Sequence, residues 1–145
     1  LTQFETLLVK TPSDAELLVD RSITLLLLGR KDEARKDVER ATELAPRSVS
    51  AHFARGIVAA ESGQDVQAIE SLTAALAAAE ALGKPYPRAR YFLAGVLARR
   101  GQRQEALAAY EQFLQEARDD VSLDDLVDAA KAELATLKNK RSVFK

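Results

Sequence analysis

A period of 34 residues runs through this chain and limits its fold more than any other feature. Gly29 and Gly63 are 34 residues apart, and the same offset relates Ser22 to Gly56, Ala34 to Ala68, Val38 to Leu72 and Ala41 to Ala75. A third copy carries Ala94, Gly101, Ala106 and Tyr110, displaced by 38, so four residues enter between copies two and three. Gly83-Lys84-Pro85-Tyr86-Pro87 is where they belong, because two prolines and a glycine end a helix and lengthen the connection. Backwards, Phe4, Leu7 and Pro12 precede Val38, Ala41 and Pro46 by 34. Residues 1–11 are therefore expected to be the end of a truncated earlier repeat. A fixed period of this length marks stacked supersecondary units that bury their apolar faces against one another.

Within each copy the apolar spacing is helical, and no strand pattern competes. Small residues at Ser22, Gly56 and Ala94 let the first helix of a unit approach its partner, and Ala34, Ala68 and Ala106 do so from the other side. Gly29, Gly63 and Gly101 stand where each first helix should stop, ready for the left-handed conformation of a helix C-terminus. Ser13 followed by Glu16 forms a capping-box pattern, and Ser48 after Pro46 takes the equivalent place. The spacing predicts helices near 13–28, 31–45, 48–62, 65–82, 87–100 and 103–118. Val121, Leu123, Leu126, Val127, Ala130, Leu134 and Leu137 then continue one more amphipathic helix over 121–140, with Asp124, Asp125 and Asp128 at its start and basic residues after its end. The expected organisation is a single helical-repeat domain over 1–145: repeat one at 13–46, repeat two at 47–82, an inserted loop at 83–87, repeat three at 87–118, and a helix that caps repeat three.

Read position by position, copy one gives Leu18, Ser22, Leu25, Gly29, Ala34, Val38, Ala41 and Pro46. Copy two gives His52, Gly56, Ala59, Gly63, Ala68, Leu72 and Ala75, with Glu80 in the proline slot. Copy three gives Arg90, Ala94, Leu97, Gly101, Ala106 and Tyr110, with Phe113 in place of the last alanine. Over residues 3–118 this resembles the tetratricopeptide repeat family. The resemblance implies an all-α solenoid, a right-handed superhelix of helical hairpins. It is almost silent on function, because the family shares a framework and not a ligand.

Composition removes most chemistry. Among 145 residues, 21 Lys plus Arg face 22 Asp plus Glu for a formal net charge of −1, so there is no global field to attract nucleic acid or an anionic membrane. With no Cys and one His, thiolate metal sites, a Cys nucleophile and most imidazole chemistry are excluded. His52 lies in a packing slot. The acids from Asp119 to Asp128 lack calcium-loop spacing, and no glycine-rich phosphate loop is present. No catalytic residue, metal site or cofactor is expected, and no apolar run approaches the ~20 residues that span a bilayer. The chain contains no Met and opens on Leu1, which reads as an excised or processed segment. Cytoplasmic and periplasmic settings are both compatible with it.

What remains is binding. The resemblance implies that the first helix of each hairpin lines a concave face. The inward positions are Glu16, Val19, Ile23 and Leu26 in copy one, Ser50, Phe53, Ile57 and Ala60 in copy two, and Arg88, Tyr91, Gly95 and Arg99 in copy three. Relatives that clamp a peptide carboxylate carry Lys, Asn and Arg in the key slots; here Val19, Ile23, Phe53, Ile57, Tyr91 and Gly95 fill them, so that clamp is absent. The expected groove is apolar through repeats one and two and basic at repeat three, where Arg90, Arg100 and Arg103 join Arg88 and Arg99. It suits a protein or peptide partner, an amphipathic helix or apolar segment with acidic groups. Two other roles remain open: an appendage that positions parts of a larger enzyme or envelope assembly, and a self-association module. Arg21 and Arg55, equivalent by the 34-residue offset, stand where an apolar residue such as Leu93 is usual. A charge there needs a partner, and Asp37 is the candidate.

Overall fold

The computed structural model describes residues 1–5 and 14–143, with side chains through residue 140. Leu7, Pro12 and Ser13, on which the earlier repeat and the first capping box partly rest, lie outside the described residues. Residues 2–5 form a short helical turn. Seven longer helices follow: α1 (Ala15–Leu27), α2 (Lys31–Leu44), α3 (Val49–Glu61), α4 (Asp65–Ala81), α5 (Pro87–Arg99), α6 (Arg103–Glu116) and α7 (Asp124–Val143), the last preceded by a 3₁₀ turn, Val121–Leu123. Among the described residues there is no strand. The architecture is all-α, built of helical hairpins α1–α2, α3–α4 and α5–α6, each packed along its length.

The hairpins turn in one way. Gly29, Gly63 and Gly101 have φ of +75°, +74° and +78°, a region that side-chain-bearing residues avoid. Each allows the next amide to reach back across the helix end, as Arg30 N does to the Leu25 carbonyl at 2.9 Å, Gln64 N to Ala59 and Gln102 N to Leu97. Gly83 closes α4 in the same manner, with Lys84 N on the Ala79 carbonyl. The helices begin on side-chain caps at two places. Asp14 accepts from the amides of Glu16 and Leu17 at 3.0 and 3.2 Å and caps α1 at Ala15, and Ser48 accepts from Ala51 N at 3.1 Å.

The chain divides into two compact units, residues 1–84 and 85–145, and the division falls in the inserted loop. In the first, Leu18, Val19, Leu25, Ala34, Val38, Ala41, Ala51, Ala54 and Val58 form the buried core, with Leu1, Leu17, Ile23, Leu26 and Leu44 packed on it. Helix α1 also lies against α3, and α2 against α3. At Gly56 α3 lies close against α4: a Cβ there would lie 2.7 Å from Leu72 Cγ and 3.3 Å from Leu72 N. In the second unit, Ala94, Leu97, Ala106, Tyr110 and Phe113 fill the hairpin, and α7 packs on α6 through the buried Ala130, Leu134 and Leu137. Helix α7 thus covers the face of the third hairpin. Asp120 holds the turn before it, accepting from Ser122 N at 3.0 Å, and Asp124 and Asp125 occupy its first turn, the favourable end of the dipole.

Candidate functional site

Equivalent residues of the first two repeats sit side by side. Ser50 Oγ donates to Glu16 Oε1 at 2.8 Å, and these two positions are 34 residues apart. The equivalent positions that follow along α1 and α3 are Val19 and Phe53, then Ile23 and Ile57, each again 34 residues apart. Val19 is only 8% exposed and belongs to the core. Ile23, Leu26, Phe53 and Ile57 are partly buried, and Ile23 and Leu26 also pack on that core. Leu27, one turn beyond Ile23, is 83% exposed. Ile23, Leu27 and Ile57 therefore give α1 and α3 an accessible apolar strip, and the exposed charged residues of these two helices, Glu16, Asp20 and Glu61, are acidic.

The basic residues of these two helices serve the framework. Arg21 Nε donates to Asp37 Oδ2 at 2.6 Å while Nη2 donates to Oδ1, the fork geometry that Arg makes with a carboxylate. Asp37 is buried, and the hydrogen bond with it raises the Arg21 pKa above its ordinary value. Asp37 was the candidate for both arginines, and the pairing found is with Arg21. In copy two the position of Asp37 is taken by Ser71. Its hydroxyl is buried without a hydrogen-bond partner, and so is Nε of Arg55. His52 bonds through Nε2 to the Pro46 carbonyl at 2.7 Å and fastens the connection from α2 to α3.

In the second unit Tyr91 belongs to an aromatic group, with ring centroids 5.3 Å from Phe92, 5.4 Å from Phe113 and 6.0 Å from Tyr110. A cleft of about 350 Å³ is lined by Tyr91, Gly95 and Arg99 of α5, Tyr110 of α6, and Glu133, Thr136 and Lys140 of α7. Burial, reinforced by Glu133 and Tyr91, pushes the Tyr110 hydroxyl up to about 12. Among the five arginines expected to make a basic end, Arg90 and Arg103 bond within the unit. Arg90 Nε donates to both oxygens of Glu116, at 3.1 and 3.2 Å, and Arg103 Nε donates to the Leu137 carbonyl at 2.7 Å. Arg88, Arg99 and Arg100 are exposed.

A sequence-family model of the tetratricopeptide repeat matches residues 19–82 and 67–121. The chain belongs to the tetratricopeptide repeat family. Among solved TPR structures, the Yersinia enterocolitica type III secretion chaperone SycD, in complex with a peptide of the translocator YopD, is similar at a TM-score of 0.79 and 18% identity, over 87% of this chain and 93% of that one. TTC0263, a thermophilic TPR protein of Thermus thermophilus, gives 0.75 at 27% identity, over 89% and 70%. The first TPR of Spaghetti (RPAP3), bound to the HSP90 peptide SRMEEVD, gives 0.75 at 16% identity, over 88% and 93%. No curated protein sequence matches the chain.

Among the described residues of this TPR protein no group of three or more His, Cys, Asp or Glu side chains could hold a metal ion. No described helix is long and apolar enough to cross a membrane. The sequence reading did not single out Leu27, Asp20 or Glu61. For Leu27 the signal was present in its spacing of four from Ile23, which puts both on one helix face.

Proposed function

We propose that this TPR protein is a non-catalytic scaffold that holds a segment of another protein on the first helices of its hairpins. In residues 1–84 the holding side chains are Ile23, Leu26, Phe53 and Ile57, with Val19 beneath them. In residues 85–145 they are Tyr91 with Arg88 and Arg99, which read acidic groups. The observation that carries the reading is the hydrogen bond between Ser50 and Glu16, because it sets equivalent positions of α1 and α3 in register. Apolar side chains that recur in the repeat then make one continuous surface and not scattered spots, and recessed apolar anchors are what peptide-binding grooves use. The SycD and Spaghetti structures, which hold peptides on the same fold, support it further.

The test compares the wild-type chain with Phe53→Glu and Arg88→Glu, each checked for helical content by circular dichroism, in capture from native lysate and then in titration against the captured protein. The expected result is a partner retained by the wild type and weakened at least ten-fold by each substitution. A partner that binds all three proteins alike would remove the proposal.

A further inference from the structure

We infer that the face of α1 and α3 takes a basic-flanked amphipathic helix, its apolar stripe on Ile23, Leu27 and Ile57 and its Lys or Arg side chains on Glu16, Asp20 and Glu61. This deepens the scaffold reading and rests on it. Three observations combine. The strip is continuous, since the Ser50–Glu16 hydrogen bond fixes the register of the two helices. It offers protruding apolar area, because Leu27 is 83% exposed while Ile23 and Ile57 are partly buried. The exposed charges that α1 and α3 themselves carry are acids: Glu16, Asp20 and Glu61 are exposed, whereas Arg21, bound to Asp37, His52, bound to the Pro46 carbonyl, and Arg55 are partly buried. Lys31, from α2, donates to the Glu61 main-chain carbonyl at 2.7 Å, so the Glu61 end of the strip also meets a cation, and Glu16 and Asp20 carry most of the selectivity.

An apolar strip on helices whose exposed charges are carboxylates disfavours an acidic-flanked helix, because like charges brought together at a contact are costly, and it draws a basic one. The chemistry is opposite to that of the arginine-bearing α5, so the selectivity of the first unit is for cations. An amphipathic helix fits because anchors spaced by about one turn, Ile23 and Leu27 on one helix and Ile57 on the next, meet a stripe of matching period.

The experiment uses the full chain and two fluorescein-labelled amphipathic peptides with the same Leu/Ala stripe, one flanked by Lys and one by Glu, followed by anisotropy. The Lys-flanked peptide is expected to bind at least ten-fold more tightly. Its affinity should fall at least ten-fold in the Glu16→Lys, Asp20→Lys, Glu61→Lys triple variant, whose changes are all at exposed positions, and also in Ile57→Glu. If the two peptides bind equally and both are lost with Ile57→Glu, the charge selectivity is overturned while the scaffold reading stands. Indifference of the Lys-flanked peptide to the triple variant overturns the inference in the same way. If neither peptide binds, the inference is overturned, and the scaffold reading is decided separately by the lysate capture with Phe53→Glu and Arg88→Glu.

Discussion

At the scale of single residues, one pair of positions changes its chemistry from repeat to repeat. The pair is Arg21 with Asp37 in copy one, Arg55 with Ser71 in copy two, and Leu93 with Ala109 in copy three. Removing the charge from Asp37 leaves the Arg21 guanidinium beside a neutral amide in a site where only a quarter of its side chain is exposed. Asp37→Asn should therefore cost about 1–3 kcal/mol in urea unfolding, below the cost of a fully buried pair because water still reaches Arg21. Copy two carries the complementary case. Ser71→Asp should supply the missing carboxylate to Arg55, and in a double-mutant cycle with Arg55→Leu the two changes should couple by about 1–3 kcal/mol. Additive behaviour would show that the Arg55 head does not reach the Ser71 position. The arginine pair and its need for an acid are legible in the sequence, since a charge recurring at an apolar repeat position demands a partner. That Asp37 takes Arg21 alone is not, because the choice depends on distances between helices.

At the scale of helices, the stops are easier to read than the surfaces. Gly29, Gly63 and Gly101 announce themselves because backbone demand and residue type coincide: the left-handed turn excludes almost everything else. The start of α1 is ambiguous in sequence, where Ser13 and Asp14 are adjacent and both are good caps. The resulting errors are of one or two residues. Exposure along α1 is harder still. Val19 and Leu27 are both apolar and near one face, yet Val19 is covered by neighbouring hairpin side chains and Leu27, at the helix end, reaches beyond them. The Tyr110 hydroxyl on α6 yields a test of packing between α6 and α7. Tyr110 is 3% exposed, and its pKa of about 12 lies above the unfolded value of about 10. The stabilising contribution is full below pH ~10 and is lost as pH rises through ~12, because the unfolded chain releases the proton first. Stability should fall by about 2–3 kcal/mol across that window, and the fall should shrink in Tyr110→Phe, measured by urea unfolding at each pH.

At the scale of the whole molecule, a chain of hairpins has stability that is close to a sum of unit terms and contacts between neighbours. Hydrogen exchange should register this. Asp37→Asn should lower amide protection through α1–α4 and leave α5–α7 near their wild-type values, in line with two compact units at 1–84 and 85–145. A uniform loss over both would show one cooperative block. The composition bounds the chemistry at this scale, and the period bounds the architecture. Neither could distribute charge over the faces: Arg90 holds Glu116 and Arg103 the Leu137 carbonyl, and no counting of residues reveals either bond.

The connection from α4 to α5 has a consequence for anyone who wishes to lengthen or cut the chain. Gly83 and Lys84 already complete the end of α4 by bonding back to Glu80 and Ala79, Pro87 opens α5 without needing an amide donor, and residues 81–85 are exposed. A reporter or protease site spliced between Lys84 and Pro85 would break no main-chain hydrogen bond of either flanking helix, so this joint is the natural seam at which to graft cargo or trade one half of the protein for another.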